Sequence, residues 1–203
     1  MNKFKCLFPG CEQPSTMHIT RAEGRTNIEE THLCDLHGRS HFEEYHDRYY
    51  ALSRIGPGSP LATGHGVAFE IDFLYCDELQ MQPWGRWYVG LIEVGGCRRM
   101  GFEVGSCEGS SLDRELKHYH SPRPLTHRAM ASIIEAVGGR LQFILIDKYH
   151  PSQGIFEAKL HIQQMDATLA VDVRPSDAAV LAVISEAPII VSNDVLATLA
   201  GMR

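Results

Sequence analysis

The sequence predicts an α+β fold in which helices pack on a mixed, largely antiparallel sheet, preceded by a small Cys/His-rich module and a helix. Three observations carry this prediction. Strand periodicity recurs after residue 66, hairpin-like links outnumber helical crossovers, and five of the eleven histidines precede residue 50 together with three of the six cysteines.

Composition places the chain among ordinary globular proteins, with 203 residues, 44% of them hydrophobic and 22% charged. The sequence contains no run of about 18 uncharged apolar residues, which argues against a membrane span. The first residues include no apolar signal segment, so we expect a cytoplasmic protein. The net charge of −6 argues against non-specific nucleic-acid binding over the whole surface but allows a local basic site.

A linker is predicted at residues 56–66, because its Gly-Pro-Gly-Ser-Pro segment suits neither a helix nor a strand ladder. It divides the chain into a module over 1–55 and a domain over 67–203. Before the linker, apolar residues recur at helical spacing, which predicts a helix. These residues are Phe42, Tyr45, Tyr49 and Leu52.

The domain begins with alternating apolar residues over 67–75, typical of a strand. Gly95-Gly96 then joins two further strands in a predicted hairpin. The later elements follow from apolar periodicity and from Pro, Gly and capping residues. They are a helix over 108–119, a helix from a Thr126 cap to Gly138, strands over 141–147, 155–163, 168–173 and 188–191, a helix over 175–186, and a last helix capped by Asn193 or Asp194.

Cys6, Cys11, Cys34 and His37 form two closely spaced pairs of residues that bind zinc well. Zn²⁺ prefers four such ligands in a tetrahedron, and a small module with few large aliphatic residues gains folding energy from a metal. We therefore predict a structural zinc site. His32 and His41 are alternatives to His37 as the fourth ligand.

This stretch, with Cys6, Cys11 and the His32-Leu-Cys34-Asp-Leu-His37 segment, resembles the N-terminal zinc-binding module of activators of bacterial protein arginine kinases. In that family cysteine occupies all four positions, whereas here a histidine occupies the last. The resemblance supports zinc binding better than it supports any role toward a kinase.

Three motifs distinguish the second domain: Arg123-Pro-Leu-Thr-His127, the Val171-Asp-Val-Arg-Pro-Ser-Asp177 turn, and the upstream Phe102-Glu-Val-Gly105-Ser-Cys-Glu108. Their order, continued by Ala187-Pro-Ile-Ile-Val191, resembles the bifunctional nuclease domain family over residues 67–200. The resemblance implies hydrolysis of DNA and RNA, a compact α+β fold and association as a homo-oligomer.

These residue types suit phosphodiester chemistry. Arg123 is suited to a forked phosphate contact, and His127 is suited by residue type to act as a general acid or base at neutral pH. Glu108 and Asp172 are candidate oxygen ligands for Mg²⁺ or Mn²⁺. The predicted catalytic set is Asp172, Arg174, Asp177, His127, Arg123 and Glu108, and the predicted substrate-binding set is Arg123, Arg174, Ser176 and Thr126.

Position along the chain supports part of this set. Asp172 and Arg174 are two residues apart on a predicted strand and should share a face. Asp177 lies in the first turn of the next helix, where backbone amides favour an anion. The hypothesis requires these side chains to converge in one cleft.

Structural explanations remain open for the same residues. Ser176, Asp177 and Thr126 are suitable helix caps, Asp172 and Arg174 can form an ion pair, and Arg123 can bind carbonyls at a helix end. The alternative function is therefore a non-enzymatic regulatory or adaptor protein that docks partners through its zinc module. A small-molecule enzyme using Asp172, Arg174 and His127 is a third hypothesis.

Overall fold

A computed structural model describes residues 4–23, 27–41, 62–77, 86–96, 98–119 and 121–202. The predicted helix with its Phe42–Leu52 stripe and the Gly-Pro-Gly-Ser-Pro segment lie outside the described residues.

Ten strands and five helices make up the described part of the chain. The strands are β1 (Met17–Glu23), β2 (Asn27–Leu33), β3 (Ala62–Thr63), β4 (Gly66–Asp77), β5 (Arg86–Glu93), β6 (Arg99–Val104), β7 (Gly139–His150), β8 (Ile155–Gln164), β9 (Ala167–Val173) and β10 (Ile189–Val191). The helices are α1 (35–41), α2 (Ser106–Leu116), α3 (Thr126–Ala136), α4 (Pro175–Ile184) and α5 (Asn193–Ala200).

All ten strands belong to one mixed sheet, whose main path runs β2-β1-β4-β10-β7-β8-β9. β3 and β5 pair with β4, and β6 pairs with β5. Among the described pairings only β10 and β7 are parallel, with Ile190 opposite Leu145. The predicted α+β class with a largely antiparallel sheet is confirmed.

Strand alternation correctly predicted which side chains of β8 are buried. Phe156, Ala158, Leu160 and Ile162 are buried, and the residues between them are partly exposed. The apolar face of α2 packs on this core, and α4 is buried on nearly all sides, with Leu112, Val180 and Leu181 fully buried. This packing fixes the ends of the two helices relative to each other.

The N-terminal region contributes two strands that the sequence analysis did not predict. β1 pairs with β2 and also with β4, where Ile19 lies opposite Tyr75. A second apolar cluster under these strands includes Met17, Phe73 and Tyr88. One sheet therefore contains residues from both sides of the predicted linker, and the division into 1–55 and 67–203 stays a prediction.

The helix starts differ from the predicted caps. Leu125 is the N-cap of α3, so Thr126 is already helical and the prediction that it caps this helix is wrong. Arg174 is the N-cap of α4 because Pro175 takes the first helical position, where its missing amide hydrogen costs nothing. Ser176 and Asp177 therefore lie inside the first turn and are not caps.

The last helix also begins one residue earlier than predicted. Ser192 caps α5, and its hydroxyl accepts a hydrogen bond from the Val195 amide at 3.2 Å. The prediction of Asn193 or Asp194 is wrong, because three successive residues of capping type leave the position undecided by sequence alone.

Gly109 is an unusual residue for the interior of α2, since glycine lowers helix stability by about 1 kcal/mol relative to alanine. The structure shows its reason. A Cβ at this position would lie 2.5 Å from the Trp87 side chain, so the indole requires the close approach that only glycine permits.

None of the described helices combines the length and apolarity that a membrane crossing requires.

Candidate functional site

A polar cluster lies where the N-terminal ends of three helices meet. α4 packs against both α2 and α3, which brings together Glu108 of α2, His127 of α3 and Asp177 of α4. Arg174 joins them from the N-cap position of α4. We call these four residues the RHED cluster.

Arg174 links the two carboxylates of the RHED cluster. Its Nε donates to Asp177 Oδ2 at 2.8 Å, and its Nη2 donates to Asp177 Oδ1 at 3.1 Å. The same Nη2 also forms an ion pair with Glu108 Oε1. His127 completes the set through a 3.0 Å hydrogen bond between its Nε2 and Asp177 Oδ1.

Burial differs sharply within the cluster. His127 and Glu108 are 6% and 9% exposed, whereas the Arg174 side chain is 66% exposed. Burial alone would raise the pKa of Asp177, but hydrogen bonds from Arg174 and His127 outweigh it and hold that pKa below its usual value. Asp177 and Glu108 raise the pKa of Arg174, so the guanidinium stays charged.

The ionised Asp177 determines the tautomer of His127. A carboxylate only accepts hydrogen bonds, so neutral His127 carries its proton on Nε2 and a lone pair on Nδ1. Nδ1 is buried and has no hydrogen-bond partner in the described part of the chain. This is the arrangement in which a carboxylate orients an imidazole to accept a proton.

The other predicted site residues lie outside the hydrogen-bonded cluster. Asp172 lies opposite Lys159 on the neighbouring strand. β9 ends at Val173, so strand alternation does not extend to Arg174, and the ion pair suggested between Asp172 and Arg174 is replaced by the pairs of Arg174 with Asp177 and Glu108. The remaining candidates flank the cluster: Arg123 and Thr126 are exposed just before His127, and Ser176 is buried in the first turn of α4.

The predicted Mg²⁺ or Mn²⁺ ligands do not form a joint set. Glu108 is paired with Arg174, and Asp172 lies opposite Lys159. Within the described ranges, no group of three or more Cys, His, Asp or Glu side chains gathers around Glu108 at metal-binding spacing. The residues present at the cluster therefore do not fit an oxygen-ligated divalent cation.

A second site lies in the N-terminal region, where Cys6, Cys11, Cys34 and His37 bring their ligand atoms within 4.8 Å of one another. Cys34 directly precedes α1 and His37 lies in its first turn. His37 Nδ1 is 3.4 Å from Cys6 Sγ and 3.3 Å from Cys34 Sγ, and Cys11 Sγ is 3.8 Å from Cys34 Sγ. This Cys₃His cluster could bind a metal such as zinc.

The distances between these sulfur and nitrogen atoms are close to those of a tetrahedral zinc site. A tetrahedral zinc site has edges of about 3.8 Å between sulfurs and about 3.6 Å between sulfur and nitrogen. Burial would raise the pKa of the Cys6 thiol, but hydrogen bonds with the backbone of Cys34 and Phe8 lower it to about 6, which favours the metal-binding thiolate. His37 supplies the fourth ligand atom, whereas His32 is occupied by a 2.7 Å contact between its Nδ1 and that of His18.

The RHED cluster was predicted residue by residue, but its pairings were not. His127 and Asp177 are 50 positions apart, and no periodicity in the sequence shows that they meet. The motifs identified the residues, and the packing of α4 against α2 and α3 brings them together.

Comparison with known proteins connects this architecture to a family. The model of the bifunctional nuclease domain matches residues 90–202, more than half of the chain. Two relatives are described as uncharacterized proteins of Mycobacterium tuberculosis, from strains CDC 1551 / Oshkosh and ATCC 25618 / H37Rv. Each is 32% identical over 116 residues, which cover 57% of this chain and 68% of the relative. The match includes all four residues of the RHED cluster, and the chain belongs to the bifunctional nuclease domain family.

Proposed function

We propose that the protein is a nuclease that hydrolyses phosphodiester bonds of DNA and RNA at the RHED cluster. The observation that carries the proposal is the convergence of Glu108, Arg174, Asp177 and His127 within the segment matched by the bifunctional nuclease domain. A cytoplasmic location stays a prediction.

Arg174 is the proposed phosphate-binding residue. Its hydrogen bonds in the described structure use Nε and Nη2, so Nη1 remains to donate to a phosphate oxygen. The exposed guanidinium also lies at the N-terminus of α4, where the helix dipole favours an anion. Arg123 and Thr126 add a cation and a hydroxyl beside His127, and Ser176 adds a hydroxyl on α4, so we place them at the substrate-binding edge.

His127 is the proposed general base. Its Nδ1 accepts a proton from the attacking water as the water oxygen bonds to phosphorus, and Asp177 stabilises the imidazolium that forms. The bond between phosphorus and the leaving oxygen then breaks, and the imidazolium returns the proton to that oxygen. Nδ1 is buried, so substrate binding has to open a path to it. Asp172 has no part in this mechanism.

Cleavage of labelled single-stranded DNA and RNA tests the proposal, with and without added Mg²⁺ or Mn²⁺. We expect Asp177→Asn and Arg174→Ala each to lower kcat/KM by about 100-fold, since they remove the orientation of the base and the phosphate contact. Asp172→Asn is the matched control and should stay within about 3-fold. Circular dichroism of each variant checks that it folds. An inactive parent, or full activity in both cluster variants, contradicts the proposal.

For the Cys₃His cluster we propose a structural Zn²⁺. The donor set and the spacing support it, and four protein ligands leave no open coordination position for catalysis. Three thiolates and an imidazole are also ligands that Mg²⁺ binds poorly.

We further propose that the protein is a homo-oligomer joined along β9. Within the described sheet β9 is the last strand of the main path and pairs only with β8. Its Leu169 and Val171 are 44% and 41% exposed, and an exposed apolar edge strand readily pairs with a second copy.

We expect light scattering to give about twice the 22.7 kDa chain mass for the parent and one chain mass for Leu169→Lys/Val171→Lys. Met165→Lys, at an 86% exposed turn residue, is the control. A monomeric parent argues against the interface.

A second candidate function, docking of a protein partner through the zinc module, is favoured by the surface beside the Cys₃His cluster. Leu7, Phe8 and Leu36 are 60%, 51% and 70% exposed, and Phe8 stacks on His37 with ring centroids 3.9 Å apart.

We expect the Leu7→Ser/Leu36→Ser variant to keep its metal and to lose any partner that the parent recovers from lysate. Ile133→Ser removes an equally exposed apolar residue elsewhere and should recover that partner. Equal recovery by both variants argues against docking here.

A further inference from the structure

Gly105 has no conformational reason to be glycine. It is the N-cap of α2, with φ −64° and ψ 157°, an extended conformation that any residue adopts. At an N-cap, glycine is about as favourable as Thr and much more favourable than Ala, although only Ser, Thr, Asp or Asn would also satisfy a free amide of the first turn with a side chain. The space around Gly105 shows what a side chain at this position would displace.

That space is occupied by a member of the RHED cluster. A Cβ on residue 105 would lie 2.2 Å from Glu108 Oε2 and 3.3 Å from Glu108 Cδ. Glu108 therefore folds back over the N-cap, with one carboxylate oxygen against Gly105 and the other on Arg174. An alanine would have to push the carboxylate away by about 1 Å to reach an ordinary van der Waals separation.

We infer that Gly105 is a positioning residue for Arg174, acting through Glu108. The missing side chain lets Glu108 fold back, and Glu108 then holds the guanidinium together with Asp177. The inference rests on the proposed function for its kinetic consequence, although the positioning itself is testable without catalysis.

Displacement of Glu108 should affect substrate binding more than the chemical step. Arg174 then keeps its hydrogen bonds to Asp177 but loses its ion pair with Glu108. The hydrogen bond between His127 and Asp177 does not involve Glu108 and stays in place. Gly105→Ala is therefore expected to raise KM for an oligonucleotide about tenfold and to leave kcat within about 3-fold. If the substitution affected only folding, it would lower the fraction of active protein and leave KM unchanged.

Two further variants separate positioning from helix capping. Gly105→Ser supplies a favourable N-cap hydroxyl but still carries a Cβ, so it should recover stability and not KM. Gly64→Ala is the control, because nothing lies within 4 Å of a Cβ at that position. In a Glu108→Ala background, Gly105→Ala should have no further effect on KM, since the group that it displaces is gone.

The readout independent of activity is the Arg174 Nε–H resonance in a nitrogen-15 NMR spectrum, assigned by its loss in Arg174→Ala. We expect it to shift in Gly105→Ala and Gly105→Ser and to stay in place in Gly64→Ala. Unchanged resonance and KM in both residue-105 variants overturn the inference, as does additivity with Glu108→Ala. An inactive parent contradicts the proposed nuclease function, and the NMR shift then still decides whether Gly105 positions Arg174.

Discussion

Removal of the proposed zinc from the Cys₃His cluster is expected to unfold the β1–β2 edge of the sheet. Cys6 and Cys34 belong to the same apolar cluster as Met17 and Ile19, so the proposed zinc site and the core under β1 are one packed unit. Structural zinc contributes about 10–16 kcal/mol of apparent binding free energy in small modules, and most of it is folding energy. We therefore expect Cys34→Ser, or a strong chelator, to lower the melting temperature by about 10 °C or more.

Metal analysis and thermal denaturation together measure this effect. The parent should hold about one zinc per chain, and Cys34→Ser should hold none. Cys107→Ser makes the same chemical change at an exposed cysteine outside the cluster, and its melting temperature should equal that of the parent. A metal-free parent, or a Cys34→Ser variant as stable as the parent, argues against a structural zinc.

The second large effect is expected at the ion pair between Arg128 of α3 and Glu115 of α2. Arg128 Nε donates to Glu115 Oε1 at 2.8 Å, and Nη2 binds the second oxygen. The Glu115 side chain is only 7% exposed, so Arg128→Ala leaves a buried carboxylate without its partner. Breaking such a pair costs about 3 kcal/mol, which we expect as the loss in free energy of unfolding.

Urea denaturation of two further variants gives this prediction its controls. Arg39→Ala breaks an ion pair with Asp35 whose side chains are 58% and 43% exposed, and it should cost less than about 0.5 kcal/mol. Arg128→Met/Glu115→Met replaces both partners by apolar groups and should recover much of the loss. A loss in Arg128→Ala no larger than in Arg39→Ala contradicts the burial argument.

Local patterns predicted most elements of the domain because each depends on neighbouring residues. Alternation identified β8, and a Gly-Gly pair marked the end of α3, where Gly138 has φ +77°. The N-caps of α3 and α4 were missed because Leu125 and Arg174 occupy them without a side-chain cap, and that of α5 because three adjacent residues can cap equally well. β1 and β2 were missed because they depend on distant contacts: β1 pairs with β4, β2 pairs with β1, and both pack against the Cys₃His region.

The candidate site could be predicted as a set of residues but not as a geometry. Motifs singled out Glu108, His127, Arg174 and Asp177, yet also Asp172, which the structure places opposite Lys159. Pro175 explains why Asp172 and Arg174 do not share a strand face. It begins α4 two residues after the end of β9, so that Arg174 is the N-cap of the helix and not part of the strand. Long-range pairing, such as His127 with Asp177, depends on helix packing and leaves no local trace in the sequence.

The three residues of β10 have a consequence for the order in which the chain can fold. This strand lies between β4 and β7, and in the described sheet it is the link between the β2-β1-β4-β5-β6 half and the β7-β8-β9 half. Because Ile189–Val191 follow every other strand of the described sheet in chain order, the ribosome has synthesised all of those strands before the halves can join. A nascent chain that stops short of this strand leaves two half-sheets, each with an open apolar margin that invites aggregation.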